Sequence, residues 1–241
     1  MRKEITPDFC SSSPLRRKRL FFKLDSFPEE KILLSDENIL GGIKKLSDRG
    51  LYPHAENRIL SFCKAASDDM ITIFITLREP ASLIPSMYCE YLRHHDFVTF
   101  DDYIKYFDIE NFSFARLFQW LNKVPGNTRI IITPFEDPPV GSMLVTIARI
   151  WKEAVGAHDT SEIGPFNQNR SRSSYTQEEL DMAACIANKA GGKMAREFLL
   201  KLDDESTRFG KTRFEPIDQA ITDIINGRYH DELVGAFARF R

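Results

Sequence analysis

The 241-residue chain reads as an α/β domain, a parallel sheet flanked by helices. Three observations predict this class. Two apolar, β-branched runs, "MITIFITL" (Met70 to Leu77) and "RIIITPF" (Arg129 to Phe135), read as strands, and the first, with little alternation, as a strand buried on both faces of a parallel sheet. Segments with helical spacing lie between and after them, most clearly "SFARLFQWLNKV" (Ser113 to Val124). Strand and helix alternate, which is the pattern of a parallel sheet covered by helices.

Taken in order, residues 1–30 are weakly patterned and basic, and are set apart from a single domain spanning 31–241. Within them "PLRRKRLFFK" (Pro14 to Lys23) carries four consecutive basic residues and two phenylalanines. A solvated face is its first reading and contact with an anionic surface its second. "KILL" (Lys31 to Leu34) is short, apolar and followed by the polar "SDEN", so it predicts a buried strand feeding a loop. "ENILGGIKKLSDRG" predicts a short helix interrupted by Gly41-Gly42, and "AENRILSFCKAA" a second helix closed by Asp68-Asp69. After the strand at 70–77, Pro80 suits the first helical position, and "SMYCEYLRHH" continues as helix.

Thr99 or Phe100 opens another short helix. Ser113 is the expected N-cap of "SFARLFQWLNKV", and Pro125-Gly126 its stop. Trp120, Phe114, Leu117 and Leu121 have core spacing. "GSMLVTIARIWKEAVG" (Gly141 to Gly156) predicts a helix ending on glycine. The C-terminal third is helical throughout. Thr176 and Glu179 form a Thr-x-x-Glu capping box, and "DMAACIANKA", "KMAREFLLKL" and "EPIDQAITDII" follow. Gly191-Gly192 and a polar loop at 203–214 separate them.

The composition narrows the function classes. Hydrophobic residues make up 42% and charged residues 28%, enough for a folded core and too apolar for wholesale disorder. A net charge of -2 argues against a nucleic-acid partner for the protein as a whole, so any phosphate site must be local. Cys10, Cys63, Cys89 and Cys185 form neither a CxxC pair nor a zinc-like cluster and are expected as free thiols, with no metal site. No run approaches the roughly 18 apolar residues of a membrane span, and the first residues lack a secretory apolar region. A cytoplasmic location is expected.

The stretch "LREPASLIPSMY" (Leu77 to Tyr88) carries the chemistry. Ligands of open parallel sheets gather at the carboxyl ends of strands, and Arg78 occupies such an end. Its guanidinium offers forked donors that match a phosphate. The helix that starts here aims its first backbone N–H groups at the same crevice. Ser86, eight residues past Arg78, adds a hydroxyl. The competing reading is a strand-end arginine and an ordinary helical serine.

These residues resemble a known segment. "TLREPASLIPSMYCEYL" is similar to the 3′-phosphate-binding segment of sulfotransferases that use 3′-phosphoadenosine 5′-phosphosulfate (PAPS), in which a strand ends in Arg and Ser follows eight positions later, often with a tyrosine close behind. Arg78, Ser86 and Tyr88 match that pattern. "KILLSDENIL" resembles the "LLSSE" strand and loop of bacterial members, with Asp36 in place of a serine. "FARLFQWLNKVPGNTRIIITPFED" resembles a later helix and a strand closing on Phe-Glu-Asp. "NQNRSRSSYTQEEL" resembles an "N-x-S" loop and places Asn169 and Ser171 there. The likeness covers residues 30–235, most loosely in the C-terminal third.

The resemblance implies a P-loop NTPase-like sulfotransferase fold. It further implies that Arg78 and Ser86 hold the 3′-phosphate of PAPS or adenosine 3′,5′-bisphosphate, and that Glu37 is the general base. The sulfuryl group would pass to a hydroxyl or amine of a carbohydrate, lipid or small metabolite. One part of the family pattern is missing: no G-x-x-K-T-G-T-[ST] loop for the 5′-phosphosulfate is found, and "CSSSPLRRKR" has no glycine to let the backbone approach a phosphate. The expectation is a chain that begins inside the domain, truncated at its N-terminus. The alternative is a catalytically inactive nucleotide-binding or partner-binding module.

Among other polar candidates, His94 and His95 are expected as helix-end residues. His54, His158 and His230 have no partner nearby in sequence. Glu136 and Asp137 are adjacent on a strand end and so point different ways, which favours loop and cap interactions.

Overall fold

The computed structural model describes residue 40 and residues 55–66, 70–105, 107–135, 174–205 and 208–240. The expectations above for 1–30, the strand at 31–34, Glu37, the helix interrupted at Gly41-Gly42, His54, Asp68-Asp69, Glu136 and Asp137, the helix at 141–156, His158, and Asn169 and Ser171 lie outside the described residues.

The described elements run α1 (Ala55–Ala65), β1 (Ile71–Leu77), α2 (Pro80–His94), α3 (Phe100–Ile104), α4 (Ala115–Leu121), β2 (Thr128–Pro134), α5 (Gln177–Ala190), α6 (Gly192–Glu205) and α7 (Gln219–Arg239). The architecture is mixed α/β. β1 and β2 pair in parallel, in register from Ile71 opposite Thr128 to Leu77 opposite Pro134. Three helices lie between the two strands in sequence, as a parallel pair requires of its connection. Arg78 and Phe135 therefore leave the sheet at the same end.

The two strands are not buried alike. β2 is buried from Ile130 to Thr133. β1 alternates instead: Ile71, Ile75 and Leu77 enter the core, while Thr72 and Thr76 are exposed. The expectation of a β1 buried on both faces is corrected here. Its two threonines are the period-two polar signal, and the surrounding isoleucines hide it from a reading based on mean hydropathy.

Local signals account for most helix ends. Pro80 stands at the start of α2, after Glu79. Thr99 caps α3, its hydroxyl accepting from the Asp102 amide at 3.1 Å. The Thr176–Glu179 capping box forms as expected at α5. Asp218 caps α7, accepting from the Ala220 amide at 2.8 Å. α4 is shorter than its apolar pattern suggests, and its N-cap position is Phe114 rather than Ser113. Ser113 still accepts from the Ala115 amide, at 2.9 Å, while its hydroxyl donates to Glu232 of α7.

The core is continuous from α1 to α7 and includes Phe114, Leu117, Trp120 and Leu121. Tyr88, Phe100, Tyr103 and Phe214 form an aromatic cluster in it, with Tyr88 5.2–5.6 Å from the other three rings. α2 is the central helix: β1 precedes it, and α6 and α7 pack against it. Cys63 and Cys89 are buried free thiols and Cys185 is exposed. No described helix is long and apolar enough to cross a membrane.

Candidate functional site

The junction between β1 and α2 lies at the carboxyl end of the parallel pair. Arg78 is half-buried there. Its Nε donates to Ser82 Oγ at 2.9 Å, and its guanidinium carbon lies 5.2 Å from the centre of the Phe135 ring. The first contact orients the fork along α2, and the second is a cation–π contact that steadies it. Ser82 Oγ in turn donates to the Glu79 carbonyl at 3.1 Å.

Ser82 and Ser86 are four residues apart in a helix and so share one face. Ser86 is half-buried and makes no side-chain hydrogen bond among the described residues. Arg78 and Ser86 are not bonded to each other. The structure sets the arginine against Ser82, one turn nearer the strand. Arginine, serine and serine thus follow one another along the flank of α2, with Ser82 engaged by both Arg78 and the Glu79 carbonyl. Sequence reasoning missed Ser82, although its spacing of four from both Arg78 and Ser86 was a usable signal.

The open amides expected at the start of α2 are engaged. The Ala81 amide donates to Asn226 Oδ1 at 3.3 Å, and the Ser82 and Leu83 amides donate to the Glu79 carbonyl at 3.1 and 2.9 Å. Pro80 has no amide hydrogen to offer. The Glu79 carboxylate also stands at this end of the helix, where it already complements the positive end of the dipole. The donors left at this edge thus lie on the side-chain flank and not at the helix tip.

A second polar group occupies the other side of Glu79. Asn226 Nδ2 donates to Glu79 Oε2 at 3.3 Å, and His230 Nε2 lies 3.3 Å from Glu79 Oε1. The neighbouring Tyr229 hydroxyl donates to the Leu77 carbonyl at 3.1 Å. One face of α7 thereby grips the strand end, the helix start and the carboxylate between them. Nothing in the sequence links these residues, because about 150 positions separate them from Glu79 and no short motif spans that distance.

No family model, curated protein or solved structure matches the chain.

The remaining candidates divide cleanly. Tyr88 belongs to the core: it is buried, its hydroxyl donates to the Val98 carbonyl at 2.7 Å, and burial pushes its phenol well above the ordinary range. His94 is exposed and sits 3.0 Å from Glu90, and His95 stacks on Tyr91 at 4.3 Å. Both serve the end of α2, as expected.

Proposed function

We propose that this chain binds a 3′-phosphorylated adenine nucleotide and belongs to the class of PAPS-dependent sulfotransferases, with a P-loop-like sheet of which β1 and β2 are part. The observation that carries the reading is Arg78, held at the carboxyl end of a parallel strand and laid along the serine face of the next helix. A forked guanidinium beside two hydroxyls suits a phosphate dianion, which needs several donors converging from one side. Arg78 would supply the paired contact and Ser86 a single hydroxyl bond, while Ser82, whose own proton goes to the Glu79 carbonyl, holds the arginine in place.

Sulfuryl transfer relies on positioning and on neutralising charge at the transferring group. A base must also take the proton of the acceptor, a hydroxyl or amine of a carbohydrate, lipid or small metabolite. Glu37 is the base the resemblance implies. A cytoplasmic location accords with this reading. Capture of the Ala81 amide by Asn226 favours the second reading, a nucleotide-binding module without turnover, because it withdraws a donor that a bound anion would use.

Calorimetry with two nucleotides tests the proposal. The wild type should prefer adenosine 3′,5′-bisphosphate to adenosine 5′-phosphate. Losing a hydrogen bond to a charged group costs about 1.5–3 kcal/mol, or about one to two decades in affinity. Arg78→Ala should weaken the bisphosphate by that amount, Ser86→Ala by less, and neither should much affect the monophosphate. Equal losses for both nucleotides, or no preference in the wild type, would leave Arg78 a strand-end arginine.

A further inference from the structure

We propose that His230 of α7 is an acid–base residue of this edge, taking the proton of the acceptor, with Glu79 and Asn226 as its positioning residues. The inference rests on the nucleotide reading above and gives the acceptor proton to His230 in place of Glu37, the base the resemblance implies.

The geometry supplies each part of such a group. The His230 side chain is 60% exposed, so a substrate can reach it. Its Nε2 side faces Glu79 Oε1 at 3.3 Å, while Nδ1 has no partner among the described residues. Glu79 is only 27% exposed, and its other oxygen is held by Asn226 Nδ2. Asn226 is itself tied to the backbone of α2 through the Ala81 amide. A carboxylate fixed in this way stabilises the imidazolium that forms when the outer nitrogen accepts a proton. The assembly sits at the carboxyl end of β1, one residue from Arg78, on the side of a parallel sheet where ligands gather. An asparagine, a tyrosine and a histidine aligned only to dock α7 would not need a solvent-facing imidazole against a half-buried carboxylate.

The charged groups around His230 are few among the described residues. Glu79 faces it from the β1–α2 junction, with Arg78 one position earlier. Asp231 is its neighbour on α7 itself, and Tyr229 lies beside it with ring centres 5.2 Å apart.

The acceptor oxygen forms a bond to the sulfuryl sulfur, and the bond between that sulfur and the bridging oxygen breaks. Its electron pair leaves with the 5′-phosphate oxygen. The acceptor proton passes to His230 Nδ1 and then to water.

The test uses the full chain, PAPS as donor, and water or phenol as acceptor. Released sulfate and phenyl sulfate are measured from pH 5 to 9, beside calorimetric binding of adenosine 3′,5′-bisphosphate. A positioned base contributes roughly 10²–10⁴-fold. His230→Gln should therefore lower turnover at least about 100-fold, remove the acid limb of the pH profile, and leave bisphosphate affinity within about twofold. Glu79→Gln should lower turnover less and keep the acid limb. Turnover in His230→Gln equal to wild type, with Glu37→Gln alone abolishing it, would overturn the assignment. So would a wild type that binds the bisphosphate and transfers nothing to either acceptor, an outcome that leaves the binding reading intact. Absence of bisphosphate binding in the wild type would sink that reading and this inference together.

Discussion

Two arginines fifteen residues apart, Arg78 just before α2 and Arg93 near its end, show what separates scaffold from site. Arg93, near the end of α2, is buried; its Nε donates to Asp203 at 2.9 Å and its Nη1 to Glu90 at 2.9 Å. Its guanidinium carbon lies 4.9 Å from the centre of the Tyr175 ring, and that of Arg208 lies at the same distance. The Tyr175 hydroxyl donates to Asp203 at 2.7 Å. Arg208 bonds Glu179 through Nε and Nη2 at 2.7 and 2.6 Å. Every polar group of this C-terminal network meets a partner of opposite need, which is what burial demands. Arg78, at the other end of the helix, rests on a serine hydroxyl and an aromatic ring at a half-exposed edge. The first arrangement holds α5 and α6 against α2. The second presents donors along a helix flank.

The contrast predicts opposite responses to mutation. The largest expected effect is on stability. Glu179 is fully buried, and removing it takes the two-pronged acceptor from Arg208, which keeps Asp203 and the Ser174 carbonyl, and leaves the Thr176 and Phe209 amides without theirs. Breaking one side of a buried pair costs about 3–5 kcal/mol, so Glu179→Ala should lower the urea unfolding midpoint by that equivalent. A loss under about 1 kcal/mol would show that the network is incidental.

The next effect sharpens the difference between the arginines. Arg93→Ala should unfold at clearly lower urea than the wild type, by roughly 2–4 kcal/mol in stability. Arg78→Ala should stay within about 1 kcal/mol of it, its cost appearing in nucleotide affinity. Matching losses for the two variants would erase the distinction between scaffold and site.

A smaller effect concerns the seam between α5 and α6. A Cβ at Gly192 would meet the Phe97 carbonyl oxygen at 2.8 Å, where Gly192 already accepts from the Phe97 amide. Gly192→Ala should cost about 1–3 kcal/mol through forced backbone displacement. Denaturant melts of the variant check this, and an unchanged midpoint would place the seam elsewhere.

The smallest effect is a pH response. Glu178 accepts from the Thr212 hydroxyl at 2.7 Å and from the Lys211 and Thr212 amides. These bonds, the Thr212 hydroxyl foremost, lower its pKa from 4.5 to about 2. Its folded value lies below its unfolded one, so its contribution is complete above about 4.5 and lost as pH falls toward about 2. Thermal melts across that window should show Glu178→Gln losing less stability than the wild type. Parallel slopes would mean the loop clasp does not persist in solution.

Much of the scaffold was legible in the chain itself. β2 announced itself as a strand through its β-branched apolar run. Thr99, Thr176, Glu179 and Pro80 marked helix starts through local bonding that needs no distant partner. Arg78 and Ser86 were legible as candidates because strand-end chemistry and helix spacing are local rules. Tertiary structure decided what those rules cannot reach. The amide at the tip of α2 went to Asn226, from a helix about 145 residues later, and Arg78 was set against Ser82 on the helix flank. The alternation of β1 became visible only when Thr72 and Thr76 met solvent. His230 acquired a role only by meeting Glu79 across the fold. Local bonding is written in short spacings. The partner of a polar group is set by which distant helix the core's packing brings alongside it.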